Sequence, residues 1–197
     1  SNERMAFSEE NVYAFVESIF LTRGAILQQC VVEAFDLMTR YYDENRVHVE
    51  GWKTNDAWKV NRRVVLPRVV SVTFGGSGYV SYGNSRQNLN DIDRAIAFLE
   101  GKKLESVPCT AVCAREGHLK ACGDDFSGVP FESTYFEMRC YKKGTLHMHF
   151  KDKELWELFN LTAARGKNWL PDDVKARERE DRTRNRRTDQ YGLLLSA

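Results

Sequence analysis

The sequence contains no run of apolar residues approaching the roughly 18 to 20 that a bilayer-spanning helix requires. It also does not open with a basic segment leading into an apolar one, the pattern of a secretory leader. Together these absences predict a cytoplasmic protein with no membrane partner. A disulfide framework is lacking too: the five cysteines, Cys30, Cys109, Cys113, Cys122 and Cys140, are odd in number and unevenly spread, which suits reduced thiols. A formal net charge of +1 excludes no class of partner, so the local distribution of charge has to carry that question. Internal repeats are absent. The glycine-rich "FGGSGYVSYG" lacks the Lys-Ser/Thr ending of a phosphate-binding loop and lies between strand-like segments, so it reads as a turn.

What is present is the material of an ordinary globular domain. The chain has 197 residues, 42% of them apolar and 12% aromatic, enough to bury one sizeable core. The patterning predicts an α+β fold over residues 1–171, followed by a charged C-terminal tail, 172–197, whose charges alternate in sign. Residues 8–45 read as a helical hairpin with Ser8 as N-cap and an interruption at Gly24. Its second half repeats apolar residues at three- and four-residue steps from Ile26 to Met38. "DAWKVNRRV" reads as a short helix. The segments "RVVSVTF" and "YVSYG" read as a first β-hairpin, and "NLNDIDRAIAFLEGKK" as a helix closed by Gly101. Residues 106–133, rich in cysteine, glycine and charge, show no clear period and read as a long loop or a small subdomain. A last helix runs through "DKELWELFNLTAARG". The expected architecture is a mainly antiparallel sheet of two hairpins, covered on its apolar face by helices.

The second hairpin, "YFEMRCYKKGTLHMHF", carries the most chemistry. With Gly144 in the left-handed position of a three-residue "KKG" loop, Tyr141 faces Thr145, Arg139 faces His147 and Glu137 faces His149. Alternation then puts Phe136, Met138, Cys140, Leu146, Met148 and Phe150 on one face and Glu137, Arg139, Tyr141, His147 and His149 on the other. Two imidazoles beside a carboxylate and a guanidinium could supply general acid, general base and phosphate clamp. A solvated face with opposite charges paired across strands is the plainer reading, and ligand binding is a third.

Two further groups stand out. Cys109, Cys113, His118 and Cys122 fall within fourteen residues and have the donor chemistry of a tetrahedral zinc site, although their spacing departs from that of a zinc knuckle. Buried cysteines and a loop histidine are the plainer reading. The cations Lys53, Lys59, Arg62, Lys142, Lys143 and Lys167, with Trp169, would suit nucleic acid if the fold brings them together.

Two stretches, "ENRVHVEGWKTNDAWKVNRRVVLP" and "YFEMRCYKKGTLHMHFKDKELWELFNLTAARGKNWLP", resemble the bacterial and phage family known as domain of unknown function four-nine-four-two. In that family a "GWK(T/S)N.A.K.N" segment precedes "F.(I/V/M)R.YK.G..H..F" and a final "FN..A..(R/K)GK.WLP". The resemblance covers about Asn45 to Pro171 and leaves the cysteine-rich segment outside the pattern. It brings no activity with it. It implies mobile elements and an association of some members with adenine-specific DNA methyltransferase domains, hence a DNA-linked role in a bacterial cell or phage-infected host. The chain carries no methyltransferase motif of its own.

Three functional expectations follow. The first is a nucleic-acid-binding or targeting domain of a phage or mobile-element protein, with DNA favoured over RNA and no cofactor beyond a possible zinc. The second is a metal-independent nuclease using His147, with Glu137 or His149 as its partner and Arg139 on the phosphate. The third is a non-enzymatic protein-interaction domain reaching its partner through the tail, 172–197.

Overall fold

The computed structural model describes residues 8–39, 58–80, 84–102, 110–177 and 179–181. Its first element is a single helix, α1 (Glu9–Thr39). The expected helical hairpin is therefore one continuous helix, with Gly24 inside it. A lone glycine costs a helix only about 1 kcal/mol relative to alanine, and the good helix formers on either side carry it through. Ser8 caps the start, its hydroxyl accepting from the Asn11 amide at 3.3 Å.

The short helix expected over "DAWKVNRRV" gives way to a strand, β1 (Arg63–Leu66). Two consecutive valines favour extended backbone, and the residue before Pro67 is biased away from helix. The first hairpin forms as expected, β2 (Val70–Val72) pairing antiparallel with β3 (Gly78–Val80), but as a separate two-stranded sheet. Pro67 and Arg68, the latter at φ 59°, turn the chain between β1 and β2. Helix α2 (Asn84–Leu99) ends at Gly101, φ +72°, where the Lys102 amide donates to the Ala97 carbonyl at 3.0 Å.

The expected cysteine-rich loop, 106–133, holds instead helix α3 (Thr110–Cys122), a 3₁₀ turn (Gly123–Asp125) and strand β4 (Pro130–Glu132). Its helical period is hidden because the buried face of α3 includes Arg115 and His118 beside Ala111, Val112 and Leu119. Asp93 of α2, itself buried, accepts from the Ala111 amide at 2.8 Å and satisfies the start of α3.

Strands β5 (Phe136–Cys140) and β6 (Leu146–Phe150) form the second hairpin, and the main sheet is antiparallel in the order β1-β6-β5-β4. Phe136, Met138, Cys140, Leu146, Met148 and Phe150 are all buried on its inner face. Each apolar side chain so buried contributes about 1.5 to 3 kcal/mol. Helix α4 (Lys153–Gly166), capped by Asp152, packs on this layer, with the ring centroid of Phe159 5.7 Å from that of Phe150 and 6.2 Å from that of Phe35 on α1.

Helix α4 also fixes where β1 begins. Asn160, fully buried, accepts from the Val60 amide at 2.6 Å and donates to the Trp156 carbonyl at 2.9 Å. The Trp156 indole donates to the Val60 carbonyl at 2.9 Å. Both backbone groups of Val60 are thus held by side chains of α4 where no strand pairs with them. Beyond Pro171, residues 172–177 are helical. The tail expected to meet a protein partner lies outside the described residues from 182 onward.

Candidate functional site

The register of the second hairpin sets the site. The Tyr141 amide donates to the Thr145 carbonyl at 2.9 Å, Gly144 takes φ +84°, and Arg139 pairs with His147 and Glu137 with His149. Glycine is required at 144 twice over, since a Cβ there would also stand 3.0 Å from the Val70 carbonyl oxygen. Burial alternates along both strands, so Glu137, Arg139, His147 and His149 leave the sheet on the face opposite the core.

Strand β1 adds the residue that hairpin reasoning missed. It pairs Arg63 with His149 and Val65 with His147, which brings Arg63 onto the same outer face. Arg63, Glu132, Glu137, Arg139, Tyr141, His147 and His149 line a concavity of about 550 Å³ there. The Arg63 guanidinium reaches Nδ1 of His147 at 2.7 Å. A guanidinium only donates, so Nδ1 accepts and the imidazole carries its proton on Nε2. Partial burial, reinforced by the Arg63 charge, lowers the His147 pKa below its ordinary value. His147 is therefore neutral at neutral pH and gives the Arg63 guanidinium no counter-charge. The Tyr141 ring lies tilted against the imidazole, 4.4 Å between centroids.

The remaining polar groups of the face divide. Glu132 pairs with Lys151 at 2.9 Å. Glu137 and Arg139 are exposed and, among the described residues, pair neither with each other nor with the histidines facing them. The cross-strand neutralisation that would make this a bland charged face is missing. Nδ1 of His149 is buried and makes no hydrogen bond.

The basic residues expected to converge are split by the fold. Lys142 and Lys143 sit exposed on the β5–β6 turn, next to the outer face. Arg62 binds the carbonyls of Phe150 and Lys151, at 2.9 and 2.7 Å, at the far end of β6. Lys59 lies over the Trp58 ring, 4.5 Å from its centroid. Lys167 pairs with Asp36 of α1 at 2.6 Å and covers the ring of Trp169, which packs edge-on against Phe35. Lys53 lies outside the described residues.

The cysteine and histidine residues also separate. Cys113 is exposed and Cys122 half-buried, while Cys109 lies outside the described residues. His118 is buried, stacked on Phe131 at 4.2 Å, with Nε2 3.2 Å from the Phe126 carbonyl and Nδ1 3.6 Å from the Cys122 thiol. A carbonyl only accepts, so Nε2 is protonated and the thiol donates to Nδ1. Among the described residues no group of three or more potential ligands is gathered.

Residues 1–169 match the model of the family described as Domain of unknown function, DUF4942. The chain belongs to that family. The match takes in α1 and the cysteine-rich segment, both outside the stretch whose motifs carry the resemblance. No curated protein and no solved structure matches the chain. Of the motifs that carry the resemblance, the first begins outside the described residues; in the other two, Phe159, Asn160, Gly166, Lys167 and Trp169 hold α4 to the rest of the molecule, whereas Arg139, Tyr141, Lys142 and His147 belong to the outer sheet face and its turn.

Proposed function

We propose that the outer face of the main sheet, with the β5–β6 turn, is a nucleic-acid-binding surface. The observation that carries this is two guanidinia that make no ion pair among the described residues, Arg63 and Arg139, beside the packed Tyr141 and His147 rings in a concavity of about 550 Å³ that also holds the Glu137 carboxylate. Guanidinia match phosphate oxygens in pairs. Half-buried rings with an edge or face open next to cations offer bases a stacking platform, worth about 1 to 3 kcal/mol per base. Lys142 and Lys143 extend the positive surface past the turn. DNA is the first polymer to offer, because the family resemblance points to DNA-linked mobile elements. Fluorescence anisotropy with labelled single- and double-stranded DNA and RNA tests the reading. Binding should fall with salt at a logarithmic slope of about 0.7 per neutralised phosphate on single strands and about 0.9 on duplex. Absence of binding to every polymer at low salt overturns it.

The neutrality of His147 favours a second reading, metal-independent phosphodiester cleavage, since only a neutral imidazole can take up a proton. Its Nδ1 is occupied by Arg63, so the acceptor nitrogen of His147 is not offered to a substrate as it stands. Binding without cleavage is the better-supported outcome. Incubation of labelled DNA and RNA with and without chelator separates the two, and cleavage abolished by His147→Ala would reverse the preference. Zinc on Cys109, Cys113, His118 and Cys122 would require His118 to release the Phe126 carbonyl or the Cys122 thiol. Metal analysis of the purified protein tests that separately.

A further inference from the structure

Helix α1 has two unlike halves. From Leu27 onward its stripe of Leu27, Val31, Ala34, Phe35 and Met38 is buried in the core. Before Leu27, Val12, Tyr13, Phe15, Val16, Ile19 and Ile26 are all exposed, at 43, 69, 65, 41, 49 and 56% of their surface. Scattered exposed apolar residues need no explanation, but a contiguous set on one helix marks an interaction surface.

The pattern within that surface is specific. Glu9, Val12, Val16, Ile19, Arg23, Ile26 and Cys30 recur at alternating steps of three and four residues. That is the spacing of a seam between two helices. The charges at its ends are opposite, Glu9 on one side and Arg23 on the other, with Val16 midway between them. Two copies of this seam laid antiparallel across Val16 bring each Glu9 opposite the other copy's Arg23 and each Val12 near the other's Ile19. Laid parallel, they would set like charges against each other. The seam is complementary to itself in one orientation only.

We propose that the exposed half of α1 is the interface of a homodimer, two copies packing antiparallel about a twofold axis at Val16. A membrane is the less suitable occupant. By length and composition the whole of Glu9–Thr39 could cross one, but the part from Leu27 is held in the core. The apolar stretch left over, Val12 to Ile26, is about 22 Å long at 1.5 Å per residue, short of a hydrocarbon layer about 30 Å thick. It also carries Glu17 and Arg23. This proposal is independent of the reading of the sheet face.

Light scattering coupled to size exclusion, on the full chain, should give twice the chain mass of 22.8 kDa. Ile19→Glu should give a monomer with unchanged circular dichroism, since the side chain is outside the core, and a thermal midpoint that no longer rises with protein concentration. Arg23→Glu should also lose the dimer, and adding Glu9→Arg to it should restore it, a rescue that a merely structural role for either residue would not produce. With Cys30 and Cys113 replaced by serine, Val16→Cys should cross-link to itself under mild oxidation, whereas Ile26→Cys should not. A parent protein that is monomeric at micromolar concentration overturns the proposal. If that monomer floats with anionic phospholipid vesicles, the surface is a membrane contact, and if it does not, other parts of the chain cover it. A charge reversal that fails to rescue Arg23→Glu overturns the antiparallel arrangement.

Discussion

Two of the motifs by which the chain resembles its family, the hairpin and the end of the last helix, end up in opposite physical roles. In the last one, every motif residue is held by the fold: Asn160 by Val60 and Trp156, Lys167 by Asp36, Trp169 by Phe35, and Gly166 by the closeness of α1. In the hairpin motif, the glycine of the turn is structural, but Arg139 and Lys142 point into solvent with no ion pair among the described residues. Cations of the same kind, counted alike in a composition, therefore do different things. Lys167 and Arg62 complete the packing of α4 and the end of β6, while Arg63, Arg139, Lys142 and Lys143 leave positive charge uncompensated. The comparison teaches that stability should respond to the first group and binding to the second.

The sharpest way to break it is at Gly166, where a Cβ would stand 2.5 Å from Cγ2 of Val32. Valine has no long flexible stem to move aside, so Gly166→Val should push α4 off α1 and destabilise by about 1 to 3 kcal/mol or more, read as a lower denaturant midpoint. Next is Asn160→Ala, which strands the buried Val60 amide and should cost about 1 to 3 kcal/mol. Neither change should alter intrinsic affinity for nucleic acid at temperatures where the variant is folded. The reverse is expected of Arg139→Ala combined with Lys142→Ala and Lys143→Ala. Stability should stay within about 0.5 kcal/mol, as for other exposed sites, while the salt slope of binding flattens by about 0.7 to 0.9 per lost contact. An unchanged slope would detach these residues from binding.

The smallest effect sharpens the role of Arg63. Because the His147 pKa is lowered in the folded protein, the unfolded chain binds more protons between that value and the ordinary 6.5. Stability therefore rises with pH through that window and is lost as pH falls through it. Arg63→Ala removes the neighbouring charge, so the His147 titration followed by NMR should move up toward its ordinary value and the acid loss of stability should shrink. Burial, the larger cause, remains, so the return should be partial. No upward movement would mean that Arg63 does not act on the ring.

Much of this was legible from local pattern. The second hairpin's register, the left-handed Gly144, the division of its faces, the Gly101 cap and the final helix all depend on neighbours within a few residues. The failures have separate causes. Gly24 reads as a break, but a glycine flanked by good helix formers continues the helix. The period of α3 was masked because Arg115 and His118 sit on its buried face, which no rule of apolar spacing anticipates. The strand at Arg63–Leu66 looked helical because its partner, β6, lies more than 80 residues away in the chain, as the 84-residue separation of Arg63 and His147 shows. Arg63 could have been suspected only from the β-branched pair Val64 and Val65 that follows it before a proline.

By itself the sequence determined which side chains share a strand face, where the turns fall and which family the chain resembles, because these follow from covalent order and backbone geometry over a few residues. Only the tertiary structure decided which cations keep their charge free. It joined β1 to β6 and put Arg63 on His147, and it drew Lys167 and Arg62 away into packing. It also left half of α1 without a neighbour among the described residues. Partners distant in the chain set those outcomes, and no local rule encodes a partner's position.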